Sequence, residues 1–146
     1  MSKTGRCLCG AVSLTLAEEP TSYGACHCAM CRKFSGVIEL GVHVMPGGIT
    51  LDGEDHIGTY TSSEWAERGF CKTCGSSLFW RLTAPGPMHG MLSVSAGALD
   101  SLDGMVFDTE VYIDAKPDSH AFAGERKRMT EADVMAMVNA APPEGA

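Results

Sequence analysis

Hydrophobic and polar residues alternate along many short stretches of this chain, which is the pattern of half-buried β-strands. The alternation is clearest in Val12-Ser13-Leu14-Thr15-Leu16. Glycine, proline and aspartate interrupt the stretches after a few residues, so the strands are expected to be short. The pattern predicts a mainly β fold with strands at 11–16, 37–44, 49–51, 59–61, 77–82 and 91–96, and a last strand at 110–113.

Two segments are expected to be helical instead. Residues 29–34 predict a short helical turn that ends near Gly36. Near the carboxyl end, Thr130 and Asp133 have the spacing of a capping box, which marks the first turn of a helix. We therefore predict a short C-terminal helix over residues 130–140.

Length and composition fit a small globular domain. The chain has 146 residues, 45% of them hydrophobic, and a net charge of −7. Because no block of five or more basic residues is present, we expect no nucleic-acid partner and no anionic membrane partner. No apolar run approaches the roughly 20 residues that span a bilayer. We predict one domain over residues 1–118 and a C-terminal extension, 119–146, that packs on the same domain.

Seven cysteines carry the candidate chemistry of this chain. They fall into a pair, a triplet and a second pair, namely Cys7/Cys9, Cys26/Cys28/Cys31 and Cys71/Cys74. An odd number leaves one cysteine outside any complete set of disulfides, and Cys-x-x-Cys pairs are typical metal clamps. The pattern indicates metal binding in a reducing compartment, so we expect a cytoplasmic protein. A signal peptide is the less favoured alternative, because residues 12–16 alternate as a strand does.

The two outlying pairs together supply the four thiolates that a structural zinc site requires. Residues i and i+2 of an extended segment point to the same face, so Cys7 and Cys9 can hold one ion from a strand. Cys71 and Cys74 can hold the same ion from a turn, where Gly75 allows an unusual backbone conformation. We predict one saturated, structural zinc that joins distant parts of the chain.

Cys26, Cys28 and Cys31 remain after that division. Three protein ligands and one exchangeable position are typical of catalytic zinc. We therefore predict a second zinc at this triplet, with its fourth position open to small molecules. Two alternatives stay open: an iron–sulfur cluster, or a fourth ligand from the chain that closes the site. The candidates for that ligand are His27, His43, His56, His89 and His120, and His27 is disfavoured because strand alternation would point it away.

The cysteine motifs and their surroundings resemble those of the glutathione-dependent formaldehyde-activating family, which shares its domain with centromere protein V. The resemblance extends from about Gly5 to Asp114 and includes all seven cysteine positions. The motifs that carry it are Cys7-x-Cys9-Gly10, Cys26-His27-Cys28-x-x-Cys31-Arg32, Arg68-Gly69-Phe70-Cys71-x-x-Cys74-Gly75, Ser95-Ala96-Gly97-Ala98-Leu99-Asp100 and Tyr112-Ile113-Asp114-Ala115-Lys116-Pro117.

This resemblance implies a mainly β, Mss4-like (β-tent) fold of twisted sheets with two zinc ions per chain. It implies a structural zinc at Cys7, Cys9, Cys71 and Cys74 and a functional zinc at Cys26, Cys28 and Cys31. The implied activity is that of a carbon–sulfur lyase, in which glutathione adds reversibly to formaldehyde and gives S-(hydroxymethyl)glutathione. The partners expected from the family are therefore a small thiol such as glutathione and an aldehyde.

Glutathione is an anion at neutral pH, so its carboxylates need hydrogen-bond donors. Arg32, Lys33, Arg68 and Lys72 lie beside the cysteine motifs and are the candidates, although they could equally offset the charge of the thiolates. Residues considered for the walls or the acid–base chemistry of the pocket are Trp65, Phe70, Glu64 and Glu67, and the two aromatic residues are more typical of a core. No general acid or base is assigned.

Two other functions stay open at this point. The chain could be a non-catalytic scaffold or interaction module with two structural zincs. It could also be an enzyme of the same class that acts on another thiol adduct. Zinc content and the response of a cobalt-substituted protein to glutathione would separate the first of these from the enzyme.

Overall fold

The computed structural model describes residues 3–139, and the chain divides into two units. Unit 1 comprises Met1–Tyr23 and Gly41–Val106, and unit 2 comprises Gly24–Leu40 and Phe107–Ala146. Their boundaries fall inside or beside β-strands, so each unit is described below by the strands and helices that it contains.

A three-stranded antiparallel sheet forms the first part of unit 1. Its strands are β1 (Lys3–Arg6), β2 (Ser13–Leu16) and β5 (Ile49–Asp52), in the order β1-β2-β5. The predicted alternation is visible in β2, where Leu14 and Leu16 are buried and Ser13 and Thr15 are partly exposed. Burial of these leucines orients the strand, because a shift of one residue would expose both of them.

A longer run of antiparallel strands forms the rest of unit 1. It contains β4 (Glu39–Val44), β6 (Ile57–Thr61), β7 (Ala66–Cys71), β8 (Ser77–Leu82) and β9 (Leu92–Ser95), in the order β4-β9-β8-β7-β6. The ladder between β7 and β8 shifts register between Gly69 and Phe70. A Cβ at position 69 would lie 2.3 Å from the Phe79 ring, so only glycine fits there. The shift lies immediately before Cys71 and helps to set where that cysteine leaves the sheet.

Unit 2 combines strands with two helices. Its elements are β3 (Ser22–Cys26), α1 (Ala29–Ser35), β10 (Val106–Val111), β11 (Lys127–Met129) and α2 (Glu131–Asn139). Strand β10 lies between β3 and β11 and runs parallel to β11, with Glu110 opposite Arg128. The helical turn predicted over 29–34 is α1, and Gly36 ends it with φ +93°.

The C-terminal helix α2 begins with the predicted capping box. The Thr130 amide donates to Asp133 Oδ2 at 2.9 Å, and the Asp133 amide donates to Thr130 Oγ1 at 3.1 Å. The amide of Glu131, the first residue of α2, donates to Asp114 Oδ1 at 3.0 Å. Residue 140, where the helix was predicted to end, lies outside the described residues. Neither described helix has the length and apolar run needed for a membrane span.

The predicted mainly β class with one short C-terminal helix is confirmed. The predicted strand at 77–82 is confirmed at both ends, and those at 11–16, 37–44, 49–51, 59–61 and 91–96 differ by one or two residues per end. The last predicted strand, 110–113, was wrong: β10 occupies Val106–Val111, and Ile113–Ala115 forms a 3-10 turn. The cause is the left-handed conformation of Tyr112, φ +56°, which ends the extended backbone. The prediction of a 1–118 domain with a packed extension stays a prediction.

Candidate metal centres

Four cysteine thiols converge within unit 1. The Sγ atoms of Cys7, Cys9, Cys71 and Cys74 all lie within 4.8 Å of one another. The Cys7 and Cys9 sulfur atoms are 3.7 Å apart, and Cys9 and Cys71 are 3.8 Å apart although 62 residues separate them in the chain. Cys7 and Cys71 are buried, whereas Cys9 is exposed. The first pair follows β1 and the second follows β7, so the two clamps meet only when unit 1 is folded.

Each clamp is closed by a backbone hydrogen bond from a glycine to the carbonyl of its first cysteine. The Gly10 amide donates to the Cys7 carbonyl at 3.2 Å, and the Gly75 amide donates to the Cys71 carbonyl at 2.8 Å. These glycines have φ of +84° and +79°, so each clamp needs a residue without a side chain at that position. Backbone amides also point at sulfur: the Val12 amide lies 3.3 Å from Cys7 Sγ. Amides aimed at sulfur favour the thiolate form, which is the form that binds a metal.

Two thiols of this cluster have pKa values that are shifted in opposite directions. Hydrogen bonds from the side chain and backbone of Ser76 lower the pKa of Cys74 to about 5. An amide hydrogen bond from Ala11 lowers the pKa of Cys9, but desolvation and the neighbouring thiols outweigh it and raise the value to about 11. Four sulfur donors within 4.8 Å of one another fit a tetrahedral dication such as zinc.

Three further thiols converge within unit 2. The Sγ atoms of Cys26, Cys28 and Cys31 lie within 4.8 Å of one another. Cys26 ends β3, Cys28 is the residue that caps α1, and Cys31 lies in the first turn of that helix. The Cys31 amide donates to Cys28 Sγ at 3.3 Å, so the sulfur takes the place of the oxygen of an ordinary capping side chain. The turn from strand to helix therefore gathers the three thiols locally.

Two thiols of this cluster have pKa values that are shifted in opposite directions. Hydrogen bonds from the Cys26 and Cys31 thiols lower the pKa of Cys28 to about 2. The same thiol contacts, with burial, raise the pKa of Cys26 well above its ordinary value. The Cys28 sulfur therefore favours the thiolate form, because the two neighbouring thiols hydrogen-bond to it. A metal ion can supply the same stabilisation to all three sulfur atoms, so this donor set also fits zinc.

No fourth ligand atom from His, Cys, Asp or Glu joins Cys26, Cys28 and Cys31 within residues 3–139. All seven cysteines belong to that part of the chain, and none of them forms a disulfide. The His27 side chain is buried and bonds Glu110 Oε1 through Nε2 at 2.7 Å. The described structure therefore offers three protein donors at this centre, whereas it offers four at the other.

His27 belongs to a buried group of charged side chains in unit 2, which we call the Glu110 cluster: Glu110, His27, Arg126 and Arg128. Glu110 is 1% exposed, and its Oε2 accepts from Arg126 Nη1 at 2.7 Å and from Arg128 Nε at 3.2 Å. Burial raises the pKa of Glu110, but hydrogen bonds from His27 and Arg126 outweigh it, and the pKa is lowered overall. Glu110 is therefore ionised at neutral pH.

Tyr112 is a neighbour of the triplet that the sequence analysis did not single out. The charges of Cys26 and Cys28, added to burial, raise the pKa of its phenol, which places the ring in their electrostatic field. Its φ of +56° is rare for an aromatic residue and costs about 1 kcal/mol or more. Only the resemblance to the family drew attention to this segment, since a phenol in a polar stretch has no spacing signal of its own.

The predicted substrate-binding residues occupy different environments. Arg32 and Lys33 are exposed in the last turn of α1, the helix that carries Cys31. Arg68 lies in β7 of unit 1 and is 4% exposed. Trp65 is exposed in unit 1, and the Glu67 carboxylate accepts from Arg81 Nε at 2.9 Å. Only Arg32 and Lys33 therefore share an element with the triplet.

Comparison with known proteins now identifies the class of protein. The sequence model of the glutathione-dependent formaldehyde-activating enzymes matches residues 2–115, and the chain belongs to this family. An uncharacterized lyase of Schizosaccharomyces pombe is 32% identical over 134 residues, which cover 90% of this chain and 93% of that protein. A Podospora anserina protein named as a candidate glutathione-dependent formaldehyde-activating enzyme is 32% identical over 98 residues, covering 64% of this chain and 46% of that protein.

A solved structure supports the fold. The crystal structure of a Rhodobacter sphaeroides protein has a TM-score of 0.55 with this chain, at 19% sequence identity. The likeness covers 71% of this chain and 98% of that protein. With the family match, it confirms the predicted Mss4-like fold class.

Proposed function

We propose that this protein is a zinc-dependent carbon–sulfur lyase that acts on the adduct of an aldehyde with glutathione or a similar thiol. The membership in the glutathione-dependent formaldehyde-activating family and the lyase name of a relative over nearly the full chain support an enzyme of this class. The observation that carries the proposal is the difference in donor number: three thiols converge in unit 2, and four converge in unit 1.

The proposal assigns a different task to each centre. Cys7, Cys9, Cys71 and Cys74 would hold a structural zinc whose coordination the chain itself completes. Cys26, Cys28 and Cys31 would hold a second zinc and leave one position for a ligand from solution. The lack of any disulfide among the seven described cysteines supports a reducing compartment, and we propose the cytoplasm.

The reaction forms one bond between the sulfur of the thiol and the carbonyl carbon of the aldehyde. The thiol loses its proton, the sulfur attacks the carbon, and the carbonyl oxygen takes up a proton, so that no oxidant or reductant is needed. When bound, zinc supplies a Lewis acid and favours the thiolate form of a coordinated thiol. Because Cys26, Cys28 and Cys31 would hold the metal in place, the reaction then requires only that the sulfur of the thiol and the carbonyl carbon of the aldehyde lie side by side.

Arg32 and Lys33 are the proposed donors to the carboxylates of glutathione. Both are exposed and belong to α1, so they are free to meet a solute that approaches the triplet. A guanidinium can bind a carboxylate through two parallel hydrogen bonds, which makes Arg32 the stronger of the two. A role for the buried Arg68 stays a prediction.

The test uses cobalt in place of zinc, followed by turnover. Metal content should be two ions per chain, and glutathione should change the visible spectrum of the cobalt-substituted protein because the triplet accepts an outside thiol. A panel of aldehydes with glutathione, followed by exchange rates, then identifies the substrate. A chain that holds two metals and shows no spectral response to any thiol would instead be the zinc-binding scaffold.

A further inference from the structure

We propose that Glu110 is a positioning residue for the triplet: it acts through His27 to hold Cys26 and Cys28 in metal-binding geometry. The inference rests on the proposed function to the extent that a metal binds at Cys26, Cys28 and Cys31. Glu110 itself lies outside every cysteine motif, and the inference is tested by metal binding, without any substrate.

His27 is fixed at two points between two of the three thiols. Its backbone amide donates to the Val111 carbonyl at 3.1 Å, and its ring Nε2 lies 2.7 Å from Glu110 Oε1. His27 directly follows β3, which ends at Cys26, and the backbone of Cys28 is extended, with φ −64° and ψ 160°. In an extended segment, the side chains on either side of a residue lie on the opposite face from it. Holding the His27 imidazole on one face of this segment therefore keeps the Cys26 and Cys28 side chains on the opposite face.

The anchor of the imidazole is a single contact. His27 Nδ1 is buried and has no hydrogen-bond partner among residues 3–139, so Glu110 supplies the only polar contact found there for the ring. Glu110 is itself held from the other side by Arg126, whose guanidinium stacks on the Phe107 ring at 4.0 Å. The carboxylate can neither turn away nor exchange its partners for water without opening unit 2.

The arginines of the cluster are paired with carboxylates. Arg126 Nη1 and Arg128 Nε both contact Glu110 Oε2, and Arg128 Nη1 contacts Oε1 of the exposed Glu125 at 3.1 Å. The two guanidinium charges are thus matched by two carboxylates. The contribution of Glu110 to the triplet is therefore the orientation of His27.

A positioning role and a purely structural role of Glu110 predict loss of metal from different centres. Replacing a residue that orients a metal ligand without itself binding the metal typically lowers metal affinity 10- to 100-fold. A positioning role therefore predicts weaker metal binding at the triplet alone. A structural role predicts that metal is lost from both centres together with the fold.

The experiment compares the full-length Glu110→Gln variant with the wild-type chain during titration with a chelator. Each chain is loaded with cobalt, and the metal retained is followed by its thiolate charge-transfer band and by metal analysis. A Cys28→Ser chain supplies the reference spectrum of the four-thiol centre alone. We expect Glu110→Gln to release the metal of the triplet at about 10- to 100-fold lower chelator activity, and to keep the other metal and its circular dichroism.

Glu125→Gln is the matched control, because Glu125 pairs with the same Arg128 at 3.1 Å but is exposed. It should retain both metals as the wild type does. Glu110→Asp, which keeps the charge on a shorter side chain, is measured in parallel and should lie between Gln and wild type. If Glu110→Gln does not fold, the Asp variant decides by the same comparison.

Three outcomes separate the ideas. Unchanged retention in both Glu110 variants, or parallel loss of both metals with the fold, would overturn the positioning role and leave the proposed function standing. A wild-type chain that binds one metal only, at the four-thiol centre, would overturn the proposed function as well. If the Glu110 variants lose metal only from the triplet and the wild-type chain converts no aldehyde, the positioning role stands and only the proposed lyase activity is overturned.

Discussion

The two cysteine centres use the same chemistry and are assembled in opposite ways. The four-thiol centre brings Cys9 and Cys71 together across 62 residues, so its geometry exists only in folded unit 1. The triplet lies within one turn from strand to helix, and its backbone structure is local. A metal at the first centre would therefore contribute its binding energy to the folding of distant segments, whereas we expect a metal at the second to add little to folding.

The largest effect expected from this comparison is that of Cys74→Ser. Loss of one of four thiolates removes much of the metal-binding free energy, which is on the order of 10 kcal/mol for structural zinc in small domains. We expect insoluble or unfolded protein, measured as the soluble fraction and by circular dichroism. Cys7→Ser should behave in the same way, and either variant recovered as folded protein with one zinc would contradict the division between the centres.

Cys28→Ser should have a large effect on activity and a small one on folding. The triplet would keep only two thiols, so we expect thiol–aldehyde exchange to fall by more than about 100-fold, beyond the loss typical of residues that only orient ligands. Its thermal unfolding should stay within a few degrees of wild type. The measurements are exchange rate, zinc per chain and melting temperature, and Met30→Ala, an exposed residue between two of the ligands, is the control.

The Glu110 cluster should make the stability of unit 2 depend on pH. The pKa of Glu110 is lowered from 4.5 in the folded protein, so the stabilisation by the ionised carboxylate is complete above that value. It is lost as the pH falls through the lower, folded-state pKa. The free energy of unfolding of wild type and Glu110→Gln should therefore converge as the pH falls below 4.5, measured by urea titration. A constant difference from pH 7 to pH 3 would show that Glu110 does not titrate as an isolated, stabilised carboxylate.

The smallest predicted effect is that of Thr130→Ala at the start of α2. The variant loses the hydrogen bond to the Asp133 amide, which costs about 1 kcal/mol at an ordinary helix cap. We expect faster amide exchange in α2 and unchanged metal content at both centres. Thr130→Ser keeps the oxygen and should restore slow exchange; if it does not, the methyl group rather than the cap stabilises this turn.

The sequence predicted those features that depend on short spacing. Alternation located the strands around Leu14 and Leu92, and the intervals between cysteines separated a pair, a triplet and a pair. The capping box of α2 could be recognised in the sequence because its two members are three residues apart. In each case the physical cause acts over a few residues, so it leaves a local pattern.

Features that depend on distant contacts left no such pattern. His27 and Glu110 are 83 residues apart, and nothing near either one shows that both are buried together. Strand β11 is three residues long and begins with Lys127 and Arg128, so neither alternation nor hydrophobicity marks it. The left-handed Tyr112 shortened a predicted strand, because tertiary context there outweighs the preference of an aromatic residue for extended backbone.

The parallel pairing of β10 with β11 also sets a lower limit on how far the chain can be trimmed. The family match ends at residue 115, and a fragment cut there would retain every cysteine. It would lack Arg126 and Arg128, so the acid at position 110 would face its histidine in a dry interior without either cationic counterpart. The smallest fragment worth expressing therefore continues through residue 129, beyond the stretch by which the family is recognised.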